Sequence, residues 1–271
     1  MDGDLLLALL VGLVQGVFEW LPVSSEGQVT LLLSLLADAP EAGAAEFSLF
    51  LHAGTGLSAT AYYRSELRAI AGDVAGRLDG GRLERPAELQ FLVVATLVSV
   101  AVGGVAFLAL QGLASALSGG AFVALIGVLL VATGVLQRVA GSEGGSRDHT
   151  DLADALLVGT MQGVAILPGV SRSGTTAGAL LLRGHDGPAS FRLSFLLSIP
   201  AAFGAGLLGL VTEGLPGISA SAAAVAIVVS AVVGYLTIDA LLRVVERVAF
   251  WGVCVGLGLL AVVGGAVIVA L

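Results

Sequence analysis

The chain has 271 residues, 57% of them hydrophobic and only 12% charged, with a mean hydropathy of +1.01. A soluble domain carries about a quarter charged residues, so a water-soluble enzyme is excluded. The net charge of −8 sets 20 acidic side chains against 12 basic ones, every one of them Arg. That balance excludes nucleic acid as a partner, and acidic, lysine-free loops suit a high-salt cytoplasm.

A membrane-crossing helix needs about 20 apolar residues, and the elements follow from that length. The start, Met1-Asp2-Gly3-Asp4, lacks the basic region of a cleavable signal and is expected to stay in the mature chain. Apolar segments 5–21 and 24–37 are too short to cross comfortably and are broken by a Pro/Ser/Gly stretch, which predicts a re-entrant hairpin. Spans are predicted at 45–63, 89–111 and 119–137. A second hairpin, 155–167 with 175–182, precedes spans at 190–212, 218–238 and 248–270. Cys254, the only cysteine, lies in the last span, has no disulfide partner in the chain and is expected to be a small lipid-buried residue.

Ala8-Leu9-Leu10-Val11-Gly12 recurs as Ala155-Leu156-Leu157-Val158-Gly159, an offset of 147. The register persists in Gln15-Gly16-Val17 against Gln162-Gly163-Val164 and in Ser24-x-x-Gly27 against Ser171-x-x-Gly174, and a proline lies between them in each copy (Pro22, Pro168). The chain is therefore predicted to be one integral membrane domain with internal repeats at about 1–139 and 150–271. Three spans follow each hairpin, so the copies must be inverted. The expected fold class is an all-α polytopic membrane protein, an inverted-topology repeat with six transmembrane helices and two re-entrant helical hairpins.

Arginine placement gives the orientation, because cytoplasmic loops hold the excess of positive charge. Arg64, Arg68, Arg77, Arg82, Arg85, Arg138, Arg147, Arg183, Arg192, Arg243 and Arg247 fall on one face of this layout. Asp2, Asp4, Asp38, Glu41, Glu46 and Glu213 mark the other. Both termini are thus expected outside a multi-pass protein of the cell membrane.

Charges at membrane depth are costly and mark function. The hairpins carry three: Glu19, Glu26 and Arg172. If the tips meet, these join Ser24, Ser25, Ser171, Ser173, Thr175 and Thr176 in a pocket suited to an oxyanion. Pro168 through Thr175 exposes backbone N–H groups at a helix start, and Arg172 offers a bidentate fork to phosphate. Gln15 and Glu19, at i and i+4, share a helix face, and a carboxylate beside phosphate can hold Mg²⁺ or Ca²⁺. The bland alternative is a Glu19–Arg172 ion pair fastening the hairpins, with the hydroxyls bonded to backbone carbonyls. His52 is expected to be structural, and His149 and His185 to be solvated in cytoplasmic loops.

Gln15-Gly16-Val17-Phe18-Glu19-Trp20-Leu21-Pro22-Val23-Ser24-Ser25 and the ungapped Pro168-Gly169-Val170-Ser171-Arg172-Ser173-Gly174 resemble the motifs of the undecaprenyl-diphosphatase family, the bacitracin-resistance proteins. Ser194 through Pro200 is similar to a further family segment. The resemblance covers nearly the whole chain. It implies hydrolysis of a C55-type isoprenyl diphosphate lipid to its monophosphate on the outer face, which recycles the lipid carrier for cell-envelope glycan synthesis. It also implies divalent-cation dependence, with Mg²⁺ or Ca²⁺ not held by a dedicated all-protein site.

By the same resemblance Ser25 is the candidate nucleophile, with direct attack by a cation-activated water left open. Arg172 clamps the diphosphate with Ser171, Ser173, Gly174, Thr175, Ser24 and Gln28 around it. Glu19 is the expected metal ligand, with Gln15 orienting. Gln28 stands where the family usually has histidine and cannot titrate, so Glu26 or Glu19 is expected to supply the acid–base function. A carrier-lipid transporter or flippase is the competing reading, since inverted repeats with broken helices are a transporter design. A relative that only binds the carrier is a third. The carrier is undecaprenyl or dolichyl in type. Membrane lipids are the surrounding partner, and Gly103, Gly104, Gly264 and Gly265 permit close packing within one chain or across a homodimer.

Overall fold

The computed structural model describes residues 3–36, 41–78, 81–117, 119–141, 145–213, 219–245 and 248–270. Asp2, Asp38 and Arg247, and the side chains of Glu41, Glu46 and Glu213, lie outside the described residues. The described residues form eleven helices and no strand: α1 (Gly3–Phe18), α2 (Ser25–Leu36), α3 (Glu41–Tyr62), α4 (Arg64–Leu78), α5 (Pro86–Ala116), α6 (Gly120–Ala140), α7 (Leu152–Val164), α8 (Arg172–Leu182), α9 (Gly187–Glu213), α10 (Ala220–Val245) and α11 (Phe250–Ala270).

Five of these, α5, α6, α9, α10 and α11, contain stretches long and apolar enough to cross a membrane. Their outer faces are apolar: Leu97, Val100, Leu108, Leu207, Val211, Leu236, Leu260 and Val263 are each more than 60% exposed. A soluble monomer does not expose apolar surface on that scale, so the chain is an all-helical, multi-pass membrane protein. α3 has the length of a span but carries Ser48, His52, Thr55, Ser58 and Thr60 along it.

One element corrects the sequence reading. Residues 64–78, expected as loop, form α4, in which no residue is buried. Its charges ruled out a span, but Ala, Leu, Arg and Glu are good helix formers, and Arg192 of α9 holds Glu66 of α4 and Glu88 of α5 together.

The helices pack in pairs: α6 with α11, α1 with α10, α5 with α7, and α3 with α9. Small residues set these pairings, since apolar lipid offers helices no hydrophobic drive to associate and close backbone approach decides. A Cβ at Gly127 of α6 would lie 2.5 Å from the Gly258 carbonyl of α11. Gly120 and Gly265 meet in the same way. On α1, Gly12 and Gly16 face α10; on α7, Gly159 and Gly163 face α5. Gly265 is therefore used inside the chain, whereas Gly104 and Gly264 face open space.

The base of the α7–α8 hairpin is clasped by ion pairs. Arg147 and Arg183 each reach both Asp151 and Asp154. His185, expected to be solvated, is instead 2% exposed, with Nε2 3.1 Å from Asp154 Oδ2 and Nδ1 3.2 Å from the Arg147 carbonyl. The clasp folds its loop inward, which a charge-rich sequence does not announce. His149 is exposed, as expected.

Candidate active site

Both hairpins end on the same device. The first serine after each break caps the next helix: Ser24 Oγ accepts from Gly27 N at 3.1 Å, and Ser171 Oγ from Gly174 N at 3.2 Å. Such caps satisfy N–H groups that a helix start leaves orphaned. The two tips then meet. Ser24 Oγ also accepts from Gly169 N of the other hairpin at 3.0 Å, and Ser173 Oγ donates to the Leu21 carbonyl at 3.0 Å. Gly169 has φ 100°, a conformation that favours glycine, and a Cβ there would strike the Ile126 carbonyl.

α6 and α11 brace the junction from behind. Thr133 Oγ1 donates to the Gly169 carbonyl, and Gln137 Nε2 to the Pro22 carbonyl at 2.6 Å. Cys254 is fully buried against protein rather than lipid, and its thiol also donates to the Pro22 carbonyl.

The tip contact brings the three hairpin charges together. Arg172 Nη2 donates to Glu19 Oε1 at 2.5 Å. Glu19 Oε2 accepts from Ser25 Oγ at 2.8 Å and from Gln15 Nε2 at 3.0 Å. His52 of α3 joins them: its Nε2 lies 3.4 Å from Glu19 Oε2 and 3.6 Å from Glu26 Oε1. Glu19, Ser25, Glu26 and His52 are all buried. Two polar atoms here have no hydrogen-bond partner among the described residues, Arg172 Nη1 and Glu26 Oε2. A buried polar atom left unpaired is costly, so the site is built for something it must receive.

Two cavities meet at these side chains. A polar niche of about 10 Å³, the size of one water, is lined by Ser24, Ser25, Ser171 and Ser173. An apolar groove of about 300 Å³ runs between α5, α7 and α9, past Val100, Gly104, Ala201 and Gly204. Val100, Gly104 and Gly204 on it are exposed, so it reaches the outer surface. Glu19, Glu26, His52 and Arg172 line both spaces and form the boundary between them.

Sequence reading named most of this set. The structure gathers Glu19, Ser24, Ser25, Glu26, Ser171, Arg172 and Ser173 at the niche, with Gln15 behind Glu19. It does not bring Gln28 or Thr175 to either cavity; Thr175 Oγ1 bonds the Ser171 carbonyl within its own helix. Gly174 faces a separate space beside Gln137 on the far side of the tips. His52 was missed as a site residue. The signal available was a histidine amid the small polar residues of an otherwise apolar segment, but its partners come from α1 and α2 and only folding supplies them.

The divalent cation implied by the resemblance has no ready cage. Among the described residues no three His, Cys, Asp or Glu side chains are arranged to hold one. Both oxygens of Glu19, its expected ligand, are engaged by Arg172, Ser25 and Gln15. The residues present do not fit a resident metal.

Comparison with known proteins decides the family. Residues 8–262 match the family model described as bacitracin resistance protein BacA. The chain belongs to this family. It is 53% identical over 262 residues to an undecaprenyl-diphosphatase of Haloarcula marismortui, covering 96% of this chain and 97% of that protein. Proteins of the same name from Methanopyrus kandleri and Methanococcoides burtonii are 39% and 36% identical, over 94% of this chain in each case. Those matches cover 94% and 96% of the two relatives. Ser25, Arg172 and the niche around them thus lie within the matched region.

Proposed function

We propose that the chain hydrolyses a long-chain isoprenyl diphosphate of the undecaprenyl type to the monophosphate and inorganic phosphate. The observation that carries this reading is Arg172 at the boundary of the two cavities. One guanidinium arm is held by Glu19 and the other, Nη1, is buried and has no hydrogen-bond partner among the described residues. A guanidinium fixed in that way is a preformed clamp for a phosphoryl group. The apolar groove beside it takes the chain of the lipid, and the relatives are named for this activity.

Ser25 Oγ at 2.8 Å from Glu19 Oε2 is within proton-transfer reach, which favours the serine as nucleophile over a water. Oγ gives its proton to Glu19 and bonds the terminal phosphorus, while the bond from that phosphorus to the bridging oxygen breaks. The isoprenyl monophosphate leaves. Water then displaces Ser25 from phosphorus, and Oγ takes its proton back from Glu19. Arg172 Nη1 bonds the phosphoryl oxygens throughout and stabilises the charge that develops on them. Mg²⁺ or Ca²⁺, on this reading, arrives as the counter-ion of the diphosphate.

The two hairpins re-enter the cell membrane, α3 is the sixth crossing, and both termini lie outside, in accord with the arginine-rich faces at Arg64–Arg85 and Arg183–Arg192. The halves are an inverted duplication, which the partner exchange of α1 with α10 and α7 with α5 supports. The relatives are named for hydrolysis, which favours it over transport alone.

The test is phosphate release from farnesyl and C55 diphosphates by purified protein in detergent, with Mg²⁺, Ca²⁺ or EDTA, beside Arg172→Ala. Release by the wild type that is lost in the folded variant is expected. No release by folded wild-type protein under any cation condition overturns the reading.

A further inference from the structure

The mechanism above leaves two protons unassigned: one for the leaving bridging oxygen and one from the attacking water. Glu19 is occupied by the Ser25 proton, and Arg172 does not release one in proteins. The remaining groups at the boundary of niche and groove are Glu26 and His52. Among the described residues no other titratable side chain lines either cavity: α9 and α5, which also pack on α3, bring only Ser198, Ser99 and apolar residues, and α10 and α4 bring none.

The His52 ring is held in one orientation. Nδ1 lies 2.9 Å from the Ser48 carbonyl, which can only accept, so Nδ1 carries a proton and Nε2 faces the site. Nε2 points between Glu19 Oε2 at 3.4 Å and Glu26 Oε1 at 3.6 Å. A bare nitrogen lone pair against two carboxylates would be repulsive on both sides. A proton placed between Nε2 and Glu26 Oε1 turns that contact into an attractive one. Glu26 Oε2 is buried and without a hydrogen-bond partner among the described residues, so no protein group competes for a proton on that carboxyl.

We propose that His52 is a catalytic residue of this enzyme, sharing one proton with Glu26 and exchanging it with the substrate. The inference rests on the phosphatase reading. As the bridging P–O bond breaks, Nε2–H gives its proton to the leaving oxygen. When water attacks the phosphorylated Ser25, its oxygen bonds phosphorus, its proton goes to Nε2, and the pair is restored. One imidazole thus serves both halves of the reaction, and α3 becomes part of the chemistry rather than a wall behind it.

His52→Asn keeps a donor near the Ser48 carbonyl but removes Nε2; His52→Gln keeps a polar atom near the Nε2 position but cannot titrate. Both are expected to lower kcat for farnesyl or C55 diphosphate by on the order of 10²-fold with KM within about threefold. Both are also expected to erase one limb of the pH profile of kcat. Glu26→Gln, which leaves His52 in place, is expected to erase the same limb, and the double variant to be no worse than the poorer single.

Folded His52→Gln with kcat within threefold of wild type and an unchanged profile overturns the proposal, while wild-type hydrolysis keeps the phosphatase reading. Should neither histidine variant fold, Glu26→Gln decides, and an unchanged profile overturns the proposal. Absence of hydrolysis by the wild type overturns both.

Discussion

The two hairpins are alike in scaffold and opposite in charge. At the offset of 147 that relates Ser24 to Ser171, the capping bonds to Gly27 and Gly174 are repeated, and so are the glycine faces, Gly12 and Gly16 against Gly159 and Gly163. The same offset sets Glu19 against Ile166, Ser25 against Arg172, and Glu26 against Ser173. The backbone positions are shared, but one hairpin brings the acids and the serine and the other brings the cation. Neither is a site alone. Symmetry of fold delivers two helix starts to one point, and asymmetry of sequence makes that point chemical.

The largest expected effect follows from that division of labour. Arg172→Ala removes the clamp, and Glu19→Gln removes the base while leaving Arg172 unneutralised. Each is expected to lower kcat/KM by on the order of 10³-fold or more. Because each residue holds the other, the double variant should fall short of the product of the two losses by at least tenfold. A full product would mean that the hairpins act independently. Arg172→Lys should recover little, since a point charge cannot hold Glu19 and a phosphoryl oxygen through two arms.

The shared scaffold is tested on the glycine faces. A Cβ at Gly12 would lie 2.6 Å from the Ala226 carbonyl, and one at Gly159 would lie 2.7 Å from the Ala95 carbonyl. Gly12→Leu and Gly159→Leu are each expected to cost about 1–3 kcal/mol or more by overpacking. Thermal unfolding in detergent should show similar losses, and a large inequality would break the likeness of the two halves.

Much of this was legible in the sequence, and the reason is physical. Lipid forces helices that enter the membrane to be largely apolar, so breaks such as 21–24 and 167–171 stand out, and the four hairpin helices fall where short apolar segments are predicted. A charge in such a segment is equally conspicuous, which exposed Glu19, Glu26 and Arg172. What stayed hidden depended on long-range contact. His52 gains its meaning from residues 33 and 26 positions earlier in the chain, and His185 from Asp154 at the other end of the α7–α8 hairpin. α4 was missed because charge argued against a span and said nothing about a surface helix.

Ser24 sharpens the comparison on a smaller scale. Its hydroxyl accepts from its own helix and from Gly169, whereas Ser171 Oγ accepts a backbone bond only within its own hairpin. Ser24→Ala should therefore destabilise by about 1–2 kcal/mol, more than Ser171→Ala, and should lower kcat further because the tips lose their register. Equal effects of the two substitutions would show that the bond between tips contributes nothing.

The smallest expected effect lies at the base of the second hairpin, where the halves differ most. Asp151 is held by Arg147 and Arg183, while its counterpart at the same offset, Asp4, precedes a sequence with no arginine before Arg64. The Asp154 backbone N–H bonded to Asp151, with the two guanidinium groups, lowers the Asp151 carboxyl from 3.8 to about 2. A depressed carboxyl stabilises the fold above its unfolded value and loses that contribution as pH falls through the folded one. The contribution of Asp151 is thus complete above pH 3.8 and gone below about pH 2. Between those limits the melting temperature of the wild type should fall more steeply than that of Asp151→Asn. Because Asp151 is half-exposed, the difference should shrink with added salt. Parallel curves for the two proteins would leave the hairpin base without an electrostatic role and return the asymmetry of the halves to the tips alone.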